Sequence, residues 1–409
     1  MNYVIIGNSA AAVGTISGIR EIDSTGKITV ISDEKYHTYS RPLISYWLEG
    51  KVSDKNIYYR PADYYEKNGV ETILGKKVMK IDTAKKCVVL DDGLSVPYDK
   101  LMVATGSKPF VPPMNGLEKT NYHTFMSYDS VKAIRSEIRE GMKVLIIGAG
   151  LIGLKAAEAL SAYKTDITVV DMADRILPSI LDERAGLKMQ KHIESKGVKF
   201  ILKTSAEEFS EHKAKLKNGD EVDFDMLIVA VGVRPNTELI SDAGGKVERG
   251  IITDMTQKTT LDDVYAAGDC TVSYDASSDT EKILALLPNA YMQGEVAGRN
   301  MAGREFYYVN AIPMNAIGFF GLHIISAGSY DGEEYVTETE NTYKKLVFRD
   351  NMLKGYILMG DVARAGIYTS MIKERIDLGD VDIEMLKDKP QMMMFGKARR
   401  EEKLGGIIR

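Results

Sequence analysis

The sequence predicts an α/β chain of two doubly wound, Rossmann-like domains, with a smaller α+β domain at the C-terminal end. Three observations predict it. Two apolar runs each stop at a glycine turn that opens a small-residue helix: "VIIGNSAAAVG" at residues 4–14 and "VLIIGAGLIGLKAAEAL" at 144–160. A hairpin followed by a buried strand recurs downstream of each turn. Past about Glu305 the pattern changes to short strand-like segments.

The first unit opens with a strand over residues 3–6 that ends at Gly7. A helix follows, carrying Ala10, Ala11, Ala12, Ile16 and Ile19 on its apolar positions. "KITVISDE" is the second strand. "VVLDDGLSVPYDKLMVATGSKP" reads as a hairpin through Asp91, Asp92 and Gly93, then a buried strand over 101–104 ending in Thr105-Gly106. The second unit repeats this order with a strand into "GAGLIG", then "DITVVDMADR", then "AKLKNGDEVDFDMLIVAVGVRP". The closing segments match without a gap. Gly93 falls on Gly219, Asp99 on Asp225, Ala104 on Ala230, Gly106 on Gly232 and Pro109 on Pro235. An internal repeat of this kind implies two copies of one supersecondary plan. "DVYAAGDC" adds a third strand-and-glycine signal after the second copy. Beyond it, "AIPMNAIGFFGLHIISAG" and "KKLVFRDNMLKGYILMG" read as strands, with a helix over 367–378. The predicted domains are 1–110 with 231–304, then 111–230, then 305–409.

Each turn points to a pyrophosphate. Backbone N–H groups and the helix dipole at a helix N-terminus favour an anion. The first glycine allows the tight turn, the second lets backbone approach phosphate, and the third lets helix and strand pack closely. Gly148, Gly150 and Gly153 supply all three, whereas the first unit keeps Gly7 and places Ser9 and Ala12 at the other positions. Ala12 is small enough for packing, and Ser9 offers a hydroxyl donor. Acids end the second strands. Asp171 is placed to meet adenosine ribose hydroxyls and to repel a 2′-phosphate, which favours NAD(H) over NADP(H), with Arg175 acting against that preference. Asp33 and Glu34 hold the same place in the first unit.

Composition narrows the rest. Of 409 residues 44% are hydrophobic and 27% charged, ordinary for globular domains. A net charge of −5 gives no case for nucleic acid or a membrane surface. The first apolar run has no basic segment ahead of it and reads as a strand, not a signal peptide. No apolar run is long enough to span a bilayer. Cys87 and Cys270 are too few and too far apart for a disulfide framework, which fits a reducing, cytoplasmic setting. No Cys/His cluster suggests zinc or an iron–sulfur centre.

Together "VIIGNSAAA", "YSRP", "LMVATGSKP", "GAGLIGLKAAEAL", "AVGVRPN" and "VYAAGD" resemble the FAD/NAD-dependent oxidoreductases of glutathione-reductase-like fold, over roughly residues 1–305. "YSRPLIS" and "KLVFRDNMLKGYILMGDVARAG" are most similar to the NADH:rubredoxin oxidoreductases and to the flavoprotein part of assimilatory nitrite reductases. The chain lacks the latter's iron–sulfur and siroheme segment. The resemblance assigns FAD to the first turn and NADH to the second. It carries FAD binding onto Gly7, Ser9, Ala10, Ala12, Asp33, Glu34, Arg41, Pro42, Val78, Ala104, Thr105, Gly106, Gly268 and Asp269. It carries NAD binding onto Gly148, Gly150, Leu151, Ile152, Gly153, Asp171 and Gly232. It implies Arg41 beside the flavin, Asp269 at the ribityl–pyrophosphate region, and a helix starting near Pro288 and Asn289 that approaches the isoalloxazine. Ser45 and Tyr46 are weaker candidates. Relatives usually have glutamate where Lys155 stands; Glu158, one turn on, is the available substitute.

Many relatives place a redox cysteine beside the flavin, and this chain has "HTYSRPLISYWLEG" there. Thiol chemistry is therefore disfavoured. No metal site and no catalytic side chain are expected, only hydride transfer between nicotinamide and flavin. A reduced flavin releases electrons one at a time, so the expected acceptor is rubredoxin, a ferredoxin-type protein or an iron–sulfur partner subunit, with the reverse direction open. An NADH oxidase reducing oxygen directly and an FAD-binding scaffold with vestigial activity are the alternatives. The tail, with Met392, Met393, Met394 and Phe395, either docks a partner or packs on its own domain.

Overall fold

A computed structural model describes residues 1–404. The chain divides into two compact units. One is Met1–Val272 with Ala285–Tyr308, and the other is Ser273–Leu284 with Val309 onward.

The first unit contains two five-stranded parallel sheets with the same strand order. In the first sheet Val264–Ala266, Lys100–Val103, Asn2–Ile6, Lys27–Ser32 and Val70–Leu74 lie side by side. In the second the order is Tyr122–His123, Met226–Val229, Lys143–Ile147, Asp166–Val170 and Lys199–Ile201. The central strands are apolar and buried, as parallel strands covered on both faces must be. Each sheet carries a three-stranded antiparallel meander. One is built from Val78–Asp82, Cys87–Leu90 and Ser95–Pro97, the other from Ala206–Ser210, Lys213–Leu216 and Glu221–Asp223. The repeat read in the sequence is thus a structural repeat. The two copies meet where each leaves its buried strand: Ser107–Pro109 pairs antiparallel with Val233–Pro235. Thr105 Oγ1 donates to the Asn236 carbonyl at 2.8 Å, and Asn236 Nδ2 donates back to the Thr105 carbonyl at 2.9 Å.

One helix pair fixes the first sheet's outer layer. The Ala10–Ile22 helix lies against the Leu287–Met301 helix so closely that glycine is required on both. A Cβ at Gly14 would stand 2.1 Å from the Tyr291 carbonyl oxygen, and one at Gly18 would stand 2.1 Å from that of Glu295. In return, Gly294 would meet the Ala11 oxygen at 2.0 Å and Gly298 the Thr15 oxygen at 2.3 Å. Such spacing brings glycine Cα–H groups onto the facing carbonyls.

In the second unit the sheet is antiparallel, in the order Met314–Phe319, Leu322–Gly328, Met352–Met359, Tyr343–Arg349 and Glu333–Glu338. The helix read at 367–378 spans Ala365–Lys373, and Arg375, at φ +49°, turns the chain out of it. Tyr356, Tyr368, Met371 and Leu386 form the core, and Met394 and Phe395 pack into it. The methionine-rich stretch is therefore anchored on its own domain, with Met393 alone exposed among 392–395. Residues 405–409 of that tail lie outside the described residues.

Replacing Gly14 with Ala should cost about 1–3 kcal/mol by overpacking. Gly366→Ala, at a helical glycine with open space around it, should be neutral or stabilise by up to about 1 kcal/mol. Denaturant unfolding of both variants checks the contrast.

Candidate functional site

The two glycine turns have the same backbone. Gly7 and Gly148 both sit at φ +114°, and each donates its N–H to the end of the neighbouring strand, at Ile31 and Val170, at 2.8 Å. A Cβ at Gly7 would stand 2.1 Å from the Ala104 oxygen, and one at Gly148 would stand 2.3 Å from the Ala230 oxygen. The second position is different. Gly150 has φ −82° and open space where a Cβ would go; Ser9 holds its place in the first turn at an equally ordinary φ of −122°. Serine therefore costs the first turn no strain. At the third position a Cβ on Gly153 would lie 2.0 Å from the Gly148 oxygen, whereas Ala12 carries one and is fully buried.

A cavity of about 580 Å³ opens at the C-terminal ends of the first sheet's strands, where strand order reverses. Gly7, Ser9 and Ala10 line it on one side, and Ala104, Thr105 and Gly106 on the next strand. Asp33, Glu34, Arg41, Val78, Gly268 and Asp269 complete the set brought together from the sequence reading. Leu287 and Ala290, in the first turn of the Leu287–Met301 helix, also face it. Two helix N-termini thus converge on one space. Ala12 and Pro42 do not line it: Ala12 packs inside its helix, and Pro42 precedes the Leu43–Leu48 helix. The remaining wall was not read from the sequence. It includes Asn8, Lys76, Lys77, Ser107, Met126, Asn236, Glu238 and Asp242. Asn8, Ser107 and Asn236 fall inside the motifs "VIIGNSAAA", "LMVATGSKP" and "AVGVRPN"; the others carry no such signal.

Arg41 and Glu34 hold each other. Arg41 Nη2 lies 2.6 Å from Glu34 Oε2, and its Nη1 donates to the Tyr39 hydroxyl at 3.0 Å and the Met126 carbonyl at 3.2 Å. Tyr39 in turn donates to Glu34 Oε1 at 2.7 Å. Asp269 is mostly enclosed. Burial pushes its carboxyl upward, against the Ser107 hydroxyl at 3.3 Å and the charge of Arg41. The turn before it is pinned to the Leu287–Met301 helix: Gly268 N–H donates to Gln293 Oε1 at 2.9 Å, and Gln293 Nε2 donates to Thr271 at 3.2 Å.

At the second turn Asp171 accepts the Ala149 N–H at 2.6 Å and the Ala173 N–H at 2.7 Å. Its carboxylate stands directly beside the glycine turn. Arg175 pairs with Asp174 at 2.9 Å. Leu151 and Ile152 begin the helix with Gly153, and Gly232 opens the paired ribbon at φ +127°. Lys155 does not sit on a solvated face. It pairs with Glu158 at 2.6 Å, with side chains 19% and 13% exposed, and lies 5.1 Å from the centre of the Tyr46 ring.

Both cysteines are buried and free. Burial pushes the Cys270 thiol up to about 11. Among the described residues no three His, Cys, Asp or Glu side chains are grouped to hold a metal, and no helix is long and apolar enough to cross a membrane.

Residues 1–294 match the sequence profile of the pyridine nucleotide-disulphide oxidoreductases. The chain belongs to that family. Residues 313–376 match the C-terminal domain of rubredoxin NAD+ reductase. This family member is 31% identical to the NADH-dependent phenylglyoxylate dehydrogenase subunit epsilon of Aromatoleum evansii, with 92% of each chain covered. It is 34% identical to an NADH oxidase of Methanocaldococcus jannaschii over 78% of this chain and 74% of that one. It is 30% identical to the nitrite reductase [NAD(P)H] of Bacillus subtilis over 92% of its own length but 48% of that relative, about half. Among solved structures, NADH:rubredoxin oxidoreductase from Clostridium acetobutylicum superposes with a TM-score of 0.75 at 25% identity, covering 93% of this chain and 97% of that one. The family member is an NADH-dependent flavoprotein oxidoreductase that uses FAD and NADH.

Two outcomes check the site. The folded pKa of Asp269 lies above its unfolded value, so its favourable contribution is complete below about pH 4 and is lost as pH rises through the folded value. Asp269→Asn should therefore raise the melting temperature of the FAD-free protein near pH 7, with the gain vanishing toward pH 4, while weakening FAD binding. Thermal scans across pH and an FAD titration measure both. Iodoacetamide at pH 8 should leave Cys270 unmodified in the native protein and NADH-driven flavin reduction unchanged, as mass spectrometry and the flavin spectrum would report.

Proposed function

We propose that this chain takes hydride from NADH onto FAD and passes the electrons singly to a small iron–sulfur carrier, rubredoxin or a ferredoxin-type protein. The carrier is either free or a partner subunit of a larger redox complex. The observation that carries this reading is a dinucleotide cavity fed by two helix N-termini, in a chain whose only sulfhydryls are buried away from solvent. The rubredoxin-reductase C-terminal match supports it.

Bound FAD supplies hydride acceptance from nicotinamide and one-electron release to a carrier. The chain's own part is binding and alignment. The N-termini of the Ala10–Ile22 and Leu287–Met301 helices and the Gly7 turn present N–H groups to the pyrophosphate. Ser9 adds a hydroxyl donor. Glu34, held by Arg41 and Tyr39, offers carboxylate oxygen to ribose hydroxyls, and Asp269 accepts from the ribityl chain. Residues 1–110 with 231–304, apart from the Ser273–Leu284 excursion, form the FAD-binding part and 111–230 the NAD-binding part, in which Gly148 and Gly150 receive the NADH pyrophosphate and Gly153 lets the helix pack close. Asp171 turns to the adenosine ribose and favours NADH over NADPH. Two cysteines too few and too far apart in sequence for a disulfide framework fit a cytoplasmic location.

The second reading, direct oxygen reduction, is favoured by the likeness to an NADH oxidase. Anaerobic stopped-flow mixing with NADH, followed by a panel of rubredoxin, ferredoxins, oxygen, peroxide and disulfides, separates the two. The carrier reading expects rapid flavin bleaching, then reoxidation fastest with an iron–sulfur carrier. Reoxidation fastest with oxygen selects the oxidase; an FAD-loaded protein that NADH does not bleach overturns both.

A further inference from the structure

On the face built by residues 35–65 and the Tyr128–Glu137 helix, cations rest on aromatic rings instead of pairing with carboxylates. Lys132 Nζ lies 3.9 Å from the Tyr128 ring centre and 4.4 Å from that of Tyr36. Arg135 lies 4.4 Å from the Trp47 ring, Arg60 lies 4.6 Å from Tyr59, and Lys35 lies 5.5 Å from Tyr36. The nearby acids are engaged by neutral donors. Trp47 Nε1 donates to Asp54 at 2.9 Å, the Tyr128 hydroxyl donates to the same carboxylate, and the Tyr36 hydroxyl donates to Asp129. Asp54 also feels the charges of Lys132 and Arg135, yet among the described residues no carboxylate stands within ion-pair distance of Lys35, Arg60, Lys132 or Arg135, in a chain of net charge −5.

This face reaches the cavity wall. Asn8 Nδ2 donates to the Tyr36 carbonyl at 3.1 Å, and Asn8 Oδ1 accepts from the Tyr65 hydroxyl. The Tyr65 ring lies 4.7 Å from His37, and His37 lies 5.5 Å from Tyr58, which is 42% exposed. Three rings therefore lead from a wall residue to solvent. Tyrosine, tryptophan and arginine are the side chains that dominate protein–protein hot spots, and cations held outside direct ion pairs steer an acidic partner from a distance.

We propose that this cation-on-aromatic face docks an acidic iron–sulfur carrier protein, seated over Tyr58 with its carboxylates on Lys35, Arg60, Lys132 and Arg135. The inference rests on the carrier reading above. NADH gives up two electrons and becomes NAD+ with release of one proton. Two oxidised carriers each take one electron in successive dockings at this face.

The test uses the FAD-loaded protein reduced by NADH, mixed anaerobically with rubredoxin from low salt to about 0.3 M. The K35E/R135E double variant should lose about tenfold or more in the second-order rate at low salt, with a flattened salt dependence. K35Q/R135Q should fall between it and the wild type, and K217E, on a hairpin of the second sheet, should match the wild type. NADH-driven bleaching should be unchanged in all. Wild-type rates in the double variant, or an equal loss in K217E, overturn the docking face and leave the carrier reading intact. A wild-type protein that bleaches with NADH but reduces no carrier overturns the carrier reading and this inference with it. If K35E/R135E does not fold, K35Q/R135Q carries the decision: rates equal to wild type overturn the face.

Discussion

Backbone contact between the Ala10–Ile22 and Leu287–Met301 helices is the constraint on which the first unit depends. Gly14, Gly18, Gly294 and Gly298 each leave only about two ångströms between a would-be Cβ and a facing carbonyl oxygen. Any side chain there would part the helices. Their closeness has three consequences. It brings residues about 280 positions apart in sequence into one layer. It aims two helix N-termini, beginning at Ala10 and Leu287, at the same cavity. Through Gln293 it also pins Gly268, and with it the position of Asp269. Two convergent dipoles with a glycine turn between them form a stronger anion cradle than either alone.

The same geometry explains why one turn retains its glycines and the other does not. Of the first two positions in each turn, only the first glycine is demanded by the protein itself, through a left-handed φ and a facing carbonyl where its Cβ would go. The second is free of both demands, so what sits there answers to the ligand. In the first turn Ser9 stands there, facing the same cavity as the N-terminus of the second helix. The second turn keeps Gly150. The third position answers to packing, since Gly153 lies against Gly148 while Ala12 is accommodated with its Cβ buried.

Much of this was legible in the sequence, for identifiable reasons. Glycine turns, buried apolar runs and hairpins are local signals, and their repetition at matched spacing made the two parallel sheets readable. The glycine, alanine and acid positions at strand ends could be placed because strand order fixes where a strand's C-terminal end points. Contacts between distant segments were not legible. Nothing local says that Glu34 closes on Arg41, that Asn8 ties the first turn to Tyr36 and Tyr65, or that Glu238 and Asp242 wall the cavity. The Ser273–Leu284 excursion into the second unit carries no glycine turn or periodicity of its own. The approach of Lys155 to the Tyr46 ring was not legible because that ring lies on another helix, whereas Glu158 is one turn along its own.

Both cysteines are buried, which disfavours a thiol as a second relay beside the flavin. Cys270 is buried with its thiol against the Val103 and Ala267 carbonyls and pushed up to about 11, and Cys87 is buried in the separate three-stranded Val78–Pro97 meander. The most direct measurement is an anaerobic reductive titration of the FAD-loaded protein, counting electrons per chain. The account predicts an endpoint at two electrons, one NADH equivalent per FAD. An endpoint at four electrons, with two thiols appearing on reduction, would contradict it.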